Sequence, residues 1–151
     1  MYDRESYQPR ESIGNLLSRV RANMLDALDE ALAADEQLAA LGVTASQFVV
    51  LASLAQGEGA RSASELCKVI SYDAGAMTRM IDRLEAKGLI RRERCADDRR
   101  LVYLKLTEAG RAAYPRIREL SRRVQNRFLS AIGKGQALEL EKLLRRLLEQ
   151  G

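Results

Sequence analysis

Apolar residues recur every three or four positions through Ile13, Leu16, Leu17, Val20, Met24, Leu28 and Ala31. That spacing lays one stripe along an amphipathic helix. It predicts a helix from Ser12 to about Leu32–Glu36, with Gly42 breaking the chain. Residues 1–11 are polar and carry Pro9, so a loosely ordered segment is expected there. Thr44 and Gln47 form a capping box ahead of Phe48, Val49, Val50, Leu51 and Leu54. This second helix is apolar nearly all round, is expected to be buried, and ends at Gly57 and Gly59. Ser62 and Glu65 make another box, opening a short helix with Leu66, Val69 and Ile70. After a tight turn at Ser71-Tyr72, Asp73 caps a helix running to about Lys87, and Gly88 ends it.

The period then changes from helical to alternating. Leu89–Arg94 and Leu101–Leu106 read as two short strands, with Val102, Leu104 and Leu106 on one face. The six residues between them are polar or small, which makes the pair a hairpin. Thr107 caps a long helix striped by Tyr114, Ile117, Leu120, Val124 and Phe128. Pro115 inside that stripe is expected to kink or divide it. A last helix after Gly133 and Gly135 carries Leu140, Leu143, Leu144, Leu147 and Leu148. The fold class is mainly α with a small β-hairpin. The long apolar-striped terminal helices exceed what so small a central module can cover. A symmetric dimer follows as an expectation, with Ile13, Leu16, Leu17, Val20, Leu140, Leu143, Leu144 and Leu147 at its interface. The chain accordingly divides into a flexible segment 1–11, a helical dimerisation region 12–41 and 107–151, and a central helix-and-hairpin region 44–106.

Charge sharpens the picture. Nine basic and five acidic side chains fall between Arg79 and Lys105, an excess equal to the +4 of the whole chain. Residues 62–87 supply a short helix, a tight turn and a second helix, the order of a helix-turn-helix. Small residues Ala74, Gly75 and Ala76 keep the leading end of the second helix narrow enough for a groove about 12 Å wide. Thr78, Arg79 and Arg83 face outward for bases or phosphates, and Ser71 and Tyr72 sit where phosphates pass. On the hairpin, Arg91, Arg92 and Arg94 are placed to track phosphates, and Arg99 and Arg100 to enter a minor groove. Asp98 is expected to pair with a nearby arginine and fix the shape of the tip.

The chain has no His, which excludes His-based catalysis and makes a structural zinc site a poor fit. No metal, cofactor or enzymatic activity is expected. No apolar run approaches the roughly 18 residues of a membrane span, and the first residues lack the apolar core of a signal peptide. A cytoplasmic setting with reduced thiols is expected. Cys95, beside Arg94, reads first as a small loop residue without a role and second as a candidate redox site. The competing class is a helical protein–protein adaptor that uses the Leu-rich ends without binding DNA. The basic hairpin beside a capped, groove-sized helix weighs against it.

Asp98-Arg99-Arg100, five residues, then Leu106-Thr107-Glu108-Ala109-Gly110 resembles the wing pattern of the MarR (multiple antibiotic resistance regulator) family. The stretch Asp73–Ile90 resembles that family's recognition helix and first wing strand. The resemblance spans roughly residues 12–150. It implies a winged helix-turn-helix homodimer on a palindromic double-stranded operator, usually a repressor released by a ligand or an oxidant. By position it implies that Arg100 is the wing arginine in the minor groove, Asp98 its structural partner, and residues 74–83 the major-groove readers. It also implies a cleft for a small aromatic or phenolic ligand between the dimer helices and the DNA-binding lobe. The chain departs from the peroxide-sensing branch in having no cysteine near the start of the first helix. It departs from the urate-responsive branch in having no Trp.

Overall fold

Local capping sets where each helix starts. In the computed structural model, which describes residues 1–57, 61–70 and 72–151, Ser12 caps α1 (Ile13–Ala34) by accepting from the Asn15 amide. Asp35 ends α1 and starts α2 (Glu36–Leu41), its carboxylate accepting from Leu38 N at 3.2 Å. The second oxygen of Asp35 takes the Arg116 guanidinium at 2.6 Å, and that arginine holds the carboxyl below its ordinary range. Gly42 then turns the chain at φ 64°, a left-handed conformation that disfavours any residue with a Cβ.

The Thr44–Gln47 box caps α3 (Ala45–Gln56), as the sequence predicts. An additional acceptor comes from α1, where the Asp29 carboxylate takes the Ala45 amide at 2.7 Å. Ser62 and Glu65 exchange bonds of 3.2 Å in the second box, opening α4 (Ala63–Ile70). Asp73 caps α5 (Ala74–Ala86) through the Ala76 amide at 2.7 Å. Then come β2 (Ile90–Arg94), β3 (Val102–Leu106), α6 (Glu108–Leu129) and α7 (Lys134–Leu148). A two-residue strand β1 (Arg61–Ser62), ahead of α4, was not foreseen. It pairs antiparallel with β3 (Ser62 opposite Tyr103), giving a three-stranded sheet in the order β1-β3-β2.

The core gathers one face from most elements, among them Leu28 and Leu32 of α1, Val50 and Leu51 of α3, Leu66 of α4, Met77, Ile81 and Leu84 of α5, Leu104 of β3 and Ile117 of α6. Burying a Leu, Ile or Met of this kind contributes about 1.5–3 kcal/mol relative to exposure. Leu89, at the junction of α5 and β2, is wholly buried and fixes the root of the hairpin.

Three expectations are corrected. The α1 helix stops at Ala34 and a separate helix follows, because Asp35 serves as cap to the second. Residues 1–11 are not loose. Asp3 bonds the Glu5 and Ser6 amides, Tyr2 and Tyr7 pack edge to face, and the Tyr2 hydroxyl accepts from Ile13 N. Pro115 does not divide α6, which continues for 22 residues. Its ring faces solvent, while the buried stripe at Ile117 and Val124 holds the helix on α1 and α3.

The apolar residues assigned to an interface are left uncovered. Ile13, Leu16, Leu17, Val20, Leu140, Leu143 and Leu147 are exposed, and Leu144 is half-buried. α7 buries no residue within the single chain. Its Leu140 and Leu144, Leu129 of α6 and the first half of α1 line an apolar groove of about 630 Å³.

Candidate nucleic-acid interface

The inward stripe of α5 decides what the helix presents outward. With Met77, Met80, Ile81 and Leu84 buried, the exposed positions are Ala74, Gly75, Thr78, Arg79, Asp82, Arg83, Glu85 and Ala86. Ala76 and Tyr72 are half-buried, and Ser71 lies outside the described residues. The Thr78 hydroxyl donates back to the Ala74 carbonyl at 2.8 Å. Its methyl and remaining lone pair are what it offers a base edge. Arg79 folds toward the leading end of the helix: a Cβ built on Gly75 would lie 3.5 Å from its Nη1. Neither Arg79 nor Arg83 has a carboxylate partner among the described residues.

The hairpin root is bolted to α5 by the residues of the Leu-Thr-x-x-Gly pattern. Thr107 caps α6 through the Gly110 amide at 3.0 Å. Its own amide donates to the Leu89 carbonyl at 3.0 Å, and its hydroxyl to the Gly88 carbonyl at 2.6 Å. Gly110 sits against that same Leu89 carbonyl, where a Cβ would come within 2.1 Å of the oxygen. The motif therefore has a mechanical explanation: only glycine lets α6 start this close to the turn after α5.

The tip is closed by the backbone. Cys95 N donates to the Leu101 carbonyl at 2.9 Å, and Leu101 N to the Asp98 carbonyl at 3.0 Å. The Asp98 carboxylate accepts from the Arg100 amide at 3.0 Å. This corrects the expected arginine side-chain partner: Asp98 shapes the tip through a backbone amide. Arg94 donates to the Arg99 carbonyl, bracing the tip from the strand. Arg99 and Arg100 are exposed and carry no ion pair among the described residues.

Arg91 and Arg92, expected to track phosphates, are instead engaged by carboxylates of their own chain. Arg91 and Lys105 both pair with Glu93, at 2.7 and 2.8 Å. The Lys105 bond, with Arg91 assisting, lowers the Glu93 carboxyl below its ordinary range. Arg92 turns back to α5 and bridges Asp82 and Glu85. Those two carboxylates, Asp82 first, raise its pKa above the usual arginine value.

Lys87 was missed as a positioning group. From the end of α5 it donates to the Gly42 carbonyl and to the buried Gln47 side chain at 2.7 Å. Desolvation, then the neighbouring Arg83, pulls its pKa down. The available signal was a lysine in the helix's last turn, which reads equally well as a solvated cap. Cys67 and Cys95 are unpaired and half-buried. The described residues contain no cluster of His, Cys, Asp or Glu able to hold a metal ion, and no helix long and apolar enough to cross a membrane.

A helix-turn-helix whose second helix shows two free arginines, followed by a hairpin with two more at its tip, defines the winged helix-turn-helix class of DNA-binding proteins. Comparison with known proteins gives the family. The MarR family sequence profile matches residues 43–102. The multiple antibiotic resistance protein MarR of Escherichia coli K12 is 36% identical over 115 residues, 76% of this chain and 79% of that protein. A crystal structure of a mutant Escherichia coli MarR complexed with operator DNA superposes with a TM-score of 0.77 at 33% identity, over 90% of this chain and 93% of that one. Bordetella bronchiseptica BpsR, described in terms of regulation of its DNA binding by 6-hydroxynicotinic acid, matches with a TM-score of 0.79 at 26% identity, over 93% and 96%. The chain belongs to the MarR family of winged-helix transcription regulators.

Proposed function

We propose that this protein is a homodimeric, sequence-specific repressor that binds a palindromic operator in the cytoplasm, is not an enzyme, and is released by a small aromatic or phenolic acid. One observation carries the reading. Four arginines of the DNA-binding lobe without carboxylate partners among the described residues, Arg79, Arg83, Arg99 and Arg100, lie on the outward face of α5 and the tip of the hairpin. An unpaired guanidinium is the group that reads guanine edges, phosphates and narrow minor grooves. The uncovered leucines of α1 and α7 support a second copy, which would place two such lobes on successive turns of a duplex. The lobe comprises residues 44–106, and the helices on either side form the dimerisation region.

A crevice of about 540 Å³ between α3, β3 and the start of α6 supports the ligand reading. Leu54, Leu106 and Tyr114 give it apolar walls, and Lys105 and Arg111 supply cations for a carboxylate. Selection of duplexes from random-sequence DNA tests the operator reading. The expected product is a palindrome with half-sites about 10 base pairs apart, bound with an affinity that falls steeply with salt. A protein that enriches no duplex is an adaptor of the competing class.

A further inference from the structure

The hairpin must hold a fixed pitch against α5 if one docking event is to seat both. The root fixes one end of β2, but the strand lies on the sheet's edge, with β3 on one side only. On its open side the structure places a clamp. The Arg92 amide donates to Glu85 Oε2 at 3.1 Å, and its guanidinium donates to Glu85 Oε1 at 2.6 Å and to Asp82 Oδ1. One residue thus ties the midpoint of β2 to two exposed positions of the recognition helix, about one turn apart. Asp82 and Glu85 share that exposed helical surface with Arg79 and Arg83. Two carboxylates beside a DNA-facing surface oppose phosphate binding by simple charge. Held to Arg92, half of their charge is offset, and the arginine has its fork directed to them.

Resting on the regulator reading above, we propose that Arg92, with Asp82 and Glu85, is a positioning unit that sets the wing relative to the recognition helix, and that Arg92 is not itself a phosphate contact. A rigid planar fork meets both carboxylates in one fixed geometry that a flexible ammonium does not reproduce, so charge alone does not replace it.

The test uses the full-length protein and a duplex that the wild type has enriched from random-sequence DNA. Asp82→Ala/Glu85→Ala removes two negative charges near the DNA and leaves Arg92 free. A phosphate-contacting Arg92 predicts tighter binding. The clamp predicts binding weaker by about tenfold, the scale of coupled pairs. Arg92→Lys keeps the charge. The clamp predicts that it binds as poorly as Arg92→Ala, and full rescue overturns the proposal. The Arg100→Ala penalty shrinks in the Asp82→Ala/Glu85→Ala background, because an unheld wing no longer places that arginine. Thermal unfolding measured alongside separates lost positioning from lost folding. Amide exchange in the free protein reads the clamp without DNA. The Arg92 amide is protected in the wild type and exchanges freely in Glu85→Ala, and equal protection in both refutes the clamp. If the wild type enriches no duplex, the regulator reading fails, and the exchange result alone decides whether the clamp exists.

Discussion

Replacing Gly110 with alanine tests the geometry of the wing root. A new Cβ would lie 2.1 Å from the Leu89 carbonyl oxygen and 3.1 Å from its carbon. An ordinary carbon–oxygen contact is about 3.3 Å or more, so the start of α6 has to withdraw by roughly 1 Å. That withdrawal loads the two bonds that join Thr107 to Leu89 and Gly88. Overpacking of this type costs about 1–3 kcal/mol, and each weakened bond about 1 kcal/mol. Alanine's better helix propensity returns at most about 1 kcal/mol. The net loss is roughly 2–4 kcal/mol, a fall in melting temperature of about 5–15 °C for a chain of this size. The assay is thermal unfolding by circular dichroism at fixed protein concentration, since a dimer's melting temperature depends on it. Gly135 is the control, because nothing lies within 4 Å of a Cβ built there. Gly135→Ala is expected to raise stability by about 0.5 kcal/mol. A Gly110→Ala protein that melts at or above wild type refutes the steric account of the motif.

Further outcomes are expected. Arg79→Ala and Arg100→Ala each weaken operator binding in a mobility-shift titration while thermal stability stays near wild type; wild-type affinity in both overturns the assignment of these arginines. Leu144→Asp converts the dimer to single chains in sedimentation velocity, and an unchanged sedimentation coefficient refutes the proposed interface. Lys87→Met takes the lysine's hydrogen bonds from the Gln47 side chain and the Gly42 carbonyl, leaving Gln47 only the Thr44 amide, and lowers stability by about 1–3 kcal/mol in urea titration. Hydrogen bonds from Arg122, then Arg123, hold the Glu119 carboxyl at about 2 against an ordinary 4.5. The folded state then binds fewer protons than the unfolded chain between those values. This contribution is fully present above about pH 4.5 and lost as pH falls toward 2. Glu119→Gln is expected to flatten the loss of stability over that acid range, and an identical pH profile would count against the pairing.

Most of the elements were legible because each carried two concordant signals, a period and a cap. α3, α4 and α5 begin at Thr44, Ser62 and Asp73 boxes or caps, and most of their buried residues belong to the apolar stripes, although Val69 of α4 is exposed and α3 also buries Ala45 and Gln47. What escaped depends on contacts distant in sequence. β1 is two residues long and exists only because β3 pairs with it across about forty positions. Asp35 looked like the fading end of a helix, and its part in joining α1, α2 and Arg116 of α6 needs all three to be in place. Pro115 obeys its local rule in losing a donor, but the tertiary packing of Ile117 and Val124 holds the helix across it. At the candidate site, α5 and the wing were readable as a pair. The division of the wing arginines between free and carboxylate-bound was not, because Arg92 is ten residues from Asp82 in sequence and meets it only once the strand folds back.

The tip of the hairpin keeps its shape through main-chain bonds at Cys95, Leu101 and Arg100. Aside from Asp98, the outward side chains there take little part in that closure. The side chains at Ala96, Asp97 and Arg100 can therefore be exchanged without altering the shape of the tip, and a library built at those three positions, leaving the frame untouched, is the economical route to altered operator preference.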